Sequence, residues 1–316
     1  MENGASGMTA ETTLPRVTVA FICYNQQEFI EEALLSSLGQ DYPNLETVVV
    51  DDCSTDGTAA LLWSLEAKFP GRLRVLINEV NVGLTANINR AIAASSGDYL
   101  CLIGGDDVLL PGKVRRQVDF MLRHPEAAFS YHQAEVFDSA TGGLLYYYND
   151  RTNIRDAGAE DAVLYDMVCA GTAMIDARDL PPLGADERVP TFSDWMLWVD
   201  TLTHSGKKAL FMPGVYFRYR YHPKSVMREV DTAKFINQTA DVLELIRQKY
   251  PQHGAAVLKR EAEVLALILL STVRRRRFPR NVRLRLRPAQ LVYLPRGLIM
   301  TVKGYVRGRK RMGNHV

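Results

Sequence analysis

Cysteine is scarce in this chain, with four in 316 residues and no C-x-x-C pair, so neither a disulfide framework nor a paired-cysteine zinc site is available. Cys23, Cys53, Cys101 and Cys169 stand mostly among apolar neighbours and read as free thiols of a reducing compartment. Long hydrophobic runs are missing too. The longest, Val264 to Leu270, falls far short of the ~20 residues that a bilayer-crossing helix needs. The opening MENGASGMTAETTLPR has no apolar stretch of the kind a secretory signal requires, and a cytoplasmic protein is expected. The six histidines show no H-x-x-x-H spacing. Nucleotide-binding glycine motifs are also absent: CYNQQEF stands where a dinucleotide fold would carry G-x-G-x-x-G, and neither Gly112-Lys113 nor Gly206-Lys207 lies in a P-loop pattern. NAD enzymes and P-loop ATPases are thereby excluded. Finally, no acid follows Glu263. The last 53 residues hold 14 Lys and Arg, leaving 24 basic against 36 acidic side chains before them, so the near-neutral total hides an acidic body and a basic arm.

What is present is a globular composition, 47% hydrophobic and 23% charged, arranged in a repeating β-α rhythm. Strand-like runs at Val17–Cys23, Glu46–Val50, Leu73–Ile77 and Tyr99–Ile103 alternate with helical patterns ending near Leu38, from Gly57 to Phe69 and from Leu84 to Ser95. Such alternation implies a parallel sheet covered on both faces, with ligands beyond the carboxyl ends of the strands. Further on, the region 127–176 reads as sheet extension plus a substrate-facing lobe. A helix is expected over Asp194–Thr203, strands over Lys208–Met212 and Tyr216–Tyr221, and two helices over Thr232–Val273 broken at Pro251.

The strand ends are polar: Tyr24-Asn25 after the first, Asp51-Asp52-Cys53-Ser54-Thr55-Asp56-Gly57 after the second, Gly104-Gly105-Asp106-Asp107 after the fourth. Hard, oxygen-rich sets of this kind suit Mg²⁺ or Mn²⁺, which take one or two protein carboxylates together with substrate phosphates. That points to a nucleoside diphosphate, with an acid after the second strand for base or ribose and the Asp-Asp pair after the fourth for the metal. Ordinary structural roles compete. The loop after the second strand also reads as a plain strand-to-helix turn capped by Ser54 or Thr55, and Asp194 also reads as a helix cap.

In their order, VTVAFICYN, LETVVVDDCSTDGT, NVGLTANINRAIAASSGDYLCLIGGDDVLLPGK, TFSDWMLWV and YFRYRYHPKSV resemble the motifs of glycosyltransferase family 2, inverting enzymes of the GT-A nucleotide-sugar fold. The resemblance covers about residues 17–227. It implies an α/β fold with a mostly parallel central sheet covered by helices, and a metal-dependent inverting transfer of sugar to a glycan or lipid-linked glycan, as in bacterial polysaccharide assembly. By motif position it places Tyr24 and Asp51 against the nucleotide base with Asp52 close by. Asp106 and Asp107 match the acidic metal and ribose motif, Asp194 the general base, and His222 a histidine near diphosphate and metal. Trp195, beside the base, is a candidate for stacking on an acceptor sugar. Mn²⁺ or Mg²⁺ is the implied cofactor, and a UDP-sugar the family's usual donor. Many members carry an acid where this chain has Gly104. The rival readings are a sugar-phosphate nucleotidyltransferase, whose glycine-rich basic loop CYNQQEF does not supply, and a non-catalytic nucleotide-sugar-binding assembly subunit.

The expected organisation is a disordered segment 1–15, a catalytic domain 16–227 with nucleotide-binding (16–126) and acceptor-facing (127–227) halves, and a helical extension 228–316 ending in a basic amphipathic tail. In that tail the cations alternate with Leu, Val, Ile, Tyr and Met. This pattern suits an anionic membrane surface, contacted through 274–311 on the inner face of the plasma membrane, better than nucleic acid, which is not expected as a partner.

Overall fold

The computed structural model describes residues 14–151, 156–165, 168–223, 225, 232–275, 289–290 and 293–294. Its first half follows the β-α rhythm closely: β1 (Val17–Cys23), α1 (Ile30–Leu38), β2 (Leu45–Asp51), α2 (Thr58–Lys68), β3 (Leu73–Ile77), α3 (Leu84–Ala94) and β4 (Tyr99–Gly104). β1 is rich in β-branched and aromatic residues and buried almost throughout. Its Val17, Val19, Phe21 and Cys23 join the layer formed with α1 and α2, while Ala20 joins the layer of α3. A parallel register pairs Cys23 with Asp51 and Ile22 with Gly104, which brings the carboxyl ends of β1, β2 and β4 to one level. That levelling creates the crevice.

The second half comprises β5 (Val108–Leu109), α4 (Lys113–Arg123), β6 (Ala127–Asp138), β7 (Leu144–Tyr147), α5 (Ala159–Leu164), β8 (Met174–Asp176), α6 (Ser193–Ser205), β9 (Lys208–Tyr221), α7 (Thr232–Lys249) and α8 (Gly254–Arg275). Among the described residues one sheet runs β3-β2-β1-β4-β8-β6-β9-β5, with β7 paired to β6. It is parallel from β3 to β4. Beyond β4 it is mixed: β8 is antiparallel to both neighbours, β6 and β9 are parallel, and β5 is antiparallel to β9.

The two strands expected at 208–212 and 216–221 form one. β6 pairs with β9 on both sides of the interruption, Tyr131 opposite Phe211 and Gln133 opposite Val215, so Pro213 and Gly214 are absorbed as a bulge. Proline is tolerated there because no ladder hydrogen bond is asked of it, and Gly214 takes φ 120°. The break at Pro251 is present as a single 3₁₀ turn between α7 and α8. These helices are not a separate layer: Val242, Leu245 and Ile246 of α7 and Val257 of α8 share one core with Trp195 and Trp198 of α6. All four cysteines are free, three buried and Cys53 partly exposed. The segment 1–13 and most of the basic tail 274–311 lie outside the described residues, as do the disorder and membrane contact expected of them.

Candidate active site

The loops after β1 and β2 are laced together. Asn25, in a left-handed conformation (φ 53°), donates its backbone N–H to Ser54 Oγ at 2.8 Å and accepts from Thr55 N–H on Oδ1 at 2.8 Å. Ser54 in turn donates through both N–H (2.9 Å) and Oγ to the two carboxylate oxygens of Asp51, which is fully buried. The side chain capping α2 is Asp56, whose Oδ1 accepts the Thr58 N–H at 2.9 Å, rather than Ser54 or Thr55. Tyr24, 46% exposed, stands at the rim of this wall.

Asp52 points the other way, into the loop that leads to α3. Its Oδ1 accepts Val82 N–H and Asn78 Nδ2, both at 2.8 Å, and its Oδ2 accepts Gly83 N–H at 2.9 Å. With 3% of its surface exposed, Asp52 holds the β3–α3 turn and supports the crevice from behind.

The loop after β4 differs. Gly104 and Gly105 stand in close quarters: a Cβ on Gly104 would lie 2.7 Å from Asp106 Oδ1, and one on Gly105 2.3 Å from Gln26 Oε1, so either side chain would have to shift. Gly104, where many members of the resembling family carry an acid, leaves room for the two carboxylates that follow. Asp107 turns inward, 6% exposed, and accepts the Arg220 backbone N–H at 2.9 Å. Burial, reinforced by the neighbouring Asp106 charge, pushes its carboxyl well above the usual range. Asp106 turns to the crevice and meets His222 Nε2 at 2.9 Å through Oδ2. His222 is buried to 7% exposure, its ring packed on Phe29 and its backbone N–H donated to Ser225 Oγ. The structure thus brings Asp106 and His222 together although 116 positions separate them.

Asp194 lies in the first turn of α6, where the helix dipole favours a negative charge. Its Oδ1 accepts the Trp195 N–H at 2.8 Å, and desolvation nevertheless raises its carboxyl above the usual range. The approach to α6 is fixed along α3: Asn89 exchanges hydrogen bonds with the backbone of Ala185, and Thr85 Oγ1 donates to Val189 O at 2.6 Å. The chain therefore climbs α3 toward its N-terminal end, the end held by Asp52, before Asp194 is reached. On the other side of this strip a cleft of about 280 Å³ opens against α7, walled by Arg188, Thr191, Gln238 and Gln248 over a floor including Phe192 and Leu245.

Trp195 requires a correction. It is 3% exposed, its indole Nε1–H donates to Ala162 O at 2.7 Å, and its ring packs on Phe192, so it belongs to the core and is not placed to stack on a sugar. An indole fits there because its polar N–H finds a backbone partner.

Among the described residues no three His, Cys, Asp or Glu side chains gather as a metal cage. Asp106 and His222 offer one carboxylate and one imidazole side by side. This donor set fits a cation that completes its coordination with diphosphate oxygens and water. Asp107 is poorly suited to the same task, its Oδ1 being taken by Arg220. The sequence reading missed Arg220 and Glu32, which brace this loop. The signal was present, since Arg220 lies in the strand expected over Tyr216–Tyr221 and His222 follows directly on that strand's end.

A family model described as Glycosyl transferase family 2 matches residues 18–175, half of the chain. TuaG of Bacillus subtilis, named as a teichuronic acid biosynthesis glycosyltransferase, is 36% identical over 117 residues, 37% of this chain and 46% of its own length. The chain spans less than half the length of the curated relatives it matches. Among solved structures, Staphylococcus aureus TarS 1-349 in complex with UDP-GlcNAc superposes with a TM-score of 0.60 at 17% identity, covering 82% of this chain and 73% of TarS 1-349. The mannosyltransferase PcManGT from Pyrobaculum calidifontis, in complex with GDP-Man and Mn²⁺, superposes with a TM-score of 0.60 at 19% identity, covering 92% and 81%. The fold is that of the GT-A transferases.

Proposed function

This chain belongs to glycosyl transferase family 2, and from that premise we propose that it transfers a sugar from a nucleotide-sugar donor to an acceptor hydroxyl with inversion, in the assembly of a polysaccharide. The observation that carries the reading is the Asp106–His222 pair just past β4, on the same level as Asp51; the desolvated Asp194 at the start of α6 is read as the base that serves it. In this reading Tyr24 and Asp51 form the wall for the base, and Asp106 serves the ribose and the diphosphate. A divalent cation, held by Asp106 and His222, would supply charge neutralisation for the departing nucleoside diphosphate.

Asp194 removes the acceptor proton. Its raised carboxyl is a stronger base than an ordinary aspartate, and its hydrogen bond to Trp195 N–H leaves the second oxygen free of that bond. TuaG's name supports a polysaccharide setting, and the ligands of TarS and PcManGT support a nucleotide-sugar donor carrying either uracil or guanine. Calorimetric titration with UDP and GDP, with and without Mn²⁺, tests the donor half. Binding that needs the cation supports it, and equal affinity in chelator refutes the cation's role.

The organisation proposed is a catalytic unit over 16–227, with α7 and α8 packed on its core and the basic tail beyond them appended. Among the described residues no helix is long and apolar enough to cross a membrane. The run of 14 cations without an acid supports instead attachment of 274–311 to an anionic leaflet, where a lipid-linked acceptor is presented. Flotation with anionic vesicles that is lost on truncation after Val273 supports this. Full-length protein that ignores such vesicles overturns it.

A further inference from the structure

We infer that Arg220 is the residue that positions Asp106, through a strut running from Glu32 on α1 to the main chain of the loop after β4. The inference rests on the assignment of Asp106 to the donor diphosphate. A Gly-Gly-Asp-Asp loop has little of its own to hold it still, since two of its four residues carry no side chain and the widest conformational freedom. Fixing it falls to neighbours from elsewhere in the chain.

Arg220 makes three bonds, and each removes a different freedom. Nε donates to the Asp106 carbonyl at 2.7 Å, which fixes the peptide plane following Asp106 and hence the direction in which its side chain leaves. The Arg220 backbone N–H donates to Asp107 Oδ1 at 2.9 Å, which pins the second acid inward. Nη2 pairs with Glu32 Oε2 at 2.5 Å, which anchors the guanidinium itself to α1. The Arg220 side chain is 7% exposed, and its guanidinium also lies over the rings of Phe29, 4.9 Å from the centroid, and Phe137, 4.6 Å, which hold it in place from both flanks.

His222, just past the end of β9, then reaches the Asp106 side chain. Just beyond the loop β9 pairs with β5, Val108 opposite Arg218 and Leu109 opposite Phe217. β9 and the residue following it therefore grip the loop's main chain, its inward acid, its outward acid and its exit. A planar fork with several fixed donors is needed for this geometry. The ammonium of lysine, a single point charge, has no fork with which to serve the Asp106 carbonyl and Glu32 in the same arrangement.

The test compares wild type with Arg220→Lys, Arg220→Met and Glu32→Ala. Calorimetry measures UDP and GDP binding in Mn²⁺, electron paramagnetic resonance measures Mn²⁺ affinity with each nucleotide present, and thermal unfolding is followed alongside. Arg220→Lys and Arg220→Met should both weaken Mn²⁺ and nucleotide binding by about 10- to 100-fold, as expected for loss of a group that orients a ligand. Glu32→Ala should weaken it less, in the same direction. Arg220→Lys with wild-type affinity overturns the inference, because charge would then suffice without the fork. So does a lowered unfolding temperature with unchanged affinity in the folded protein, the mark of a merely structural arginine. If the Arg220 variants do not fold, Glu32→Ala decides, its side chain being 57% exposed, and unchanged affinity there overturns the inference. Wild type that binds neither nucleotide in Mn²⁺ removes the donor assignment and the inference with it. Wild type that binds beside indifferent variants removes the inference alone.

Discussion

Two loops of this molecule each carry an Asp-Asp pair at the end of a parallel strand, and the structure uses them in opposite ways. After β2, Asp51 and Asp52 are satisfied close to home: Ser54, Asn78, Val82 and Gly83, all within the first half, occupy their oxygens. After β4, the partners are Arg220 at the end of β9 and His222 just past it, both from the other half. The first pair builds a wall. The second joins two halves of the chain while keeping Asp106 turned to the crevice. A carboxylate surrounded by backbone N–H groups has its lone pairs committed, whereas one met by a single imidazole retains capacity for a ligand.

The largest effect is expected outside both loops, and it sets the scale for them. Asp194→Asn should lower turnover by about 10²- to 10⁴-fold, the loss typical of a general base, with UDP or GDP affinity nearly unchanged. Steady-state kinetics beside calorimetry reads this. Near-normal turnover would make Asp194 a helix-terminal acid without a chemical role.

The contrast between the loops is sharpened by a matched pair of substitutions. Asp52→Ala should destabilise the fold by about 3 kcal/mol, because Val82 N–H, Gly83 N–H and Asn78 lose a charged acceptor in a buried setting. Asp106→Ala should stay within about 1 kcal/mol of wild type, since it gives up one histidine contact, yet abolish cation-dependent nucleotide binding. Urea unfolding and calorimetry together report both quantities. Equal destabilisation by the two would erase the distinction.

A smaller effect concerns the second half's interior. His132 is fully buried, and desolvation first, then the Lys113 charge, holds its imidazole well below the usual value of 6.5. Below about pH 6.5 the unfolded chain takes up a proton that the native state refuses, so stability should fall with pH until the native imidazole itself titrates. His132→Gln should make the slope shallower by at most about 1.4 kcal/mol per pH unit between pH 6.5 and 5. Urea midpoints across that range measure it, and an unchanged slope would assign the pH dependence elsewhere.

The smallest lies in the first wall. Cys53 adopts φ 60°, a left-handed conformation that disfavours any side chain with a Cβ. Cys53→Gly should stabilise by about 0.5 kcal/mol, strain relief being partly offset by the freer unfolded chain. Destabilisation would mean that the Sγ contact to Glu79 O outweighs the strain.

The first half was readable because its information is local. Each strand from Val17 to Gly104 is a short apolar run closed by polar or glycine residues, and the helices between them carry their own periodicity, so boundaries were anticipated to within a residue or two. In the second half the pairings are long-range and mixed in direction. Nothing in the local pattern of β8, three residues long, announces that it sits antiparallel between β4 and β6. The bulge at Pro213 and Gly214 likewise read as a gap between two strands, because only the presence of β6 opposite both flanks makes one strand of them.

By itself the sequence determined the chemistry on offer: carboxylates where strands end, no glycine-rich phosphate loop, a histidine after an arginine on a late strand, and a basic arm without acids. Tertiary structure decided which of those groups remain available. Asp52 and Asp107 are taken up by backbone N–H groups, Trp195 disappears into the core against Ala162, and Asp106 is left facing the crevice beside His222. The reason is physical. Residue type fixes what a side chain is able to bind, but burial and the geometry of its neighbours fix whether its lone pairs are already spent, and those neighbours lie up to 116 positions away in the chain.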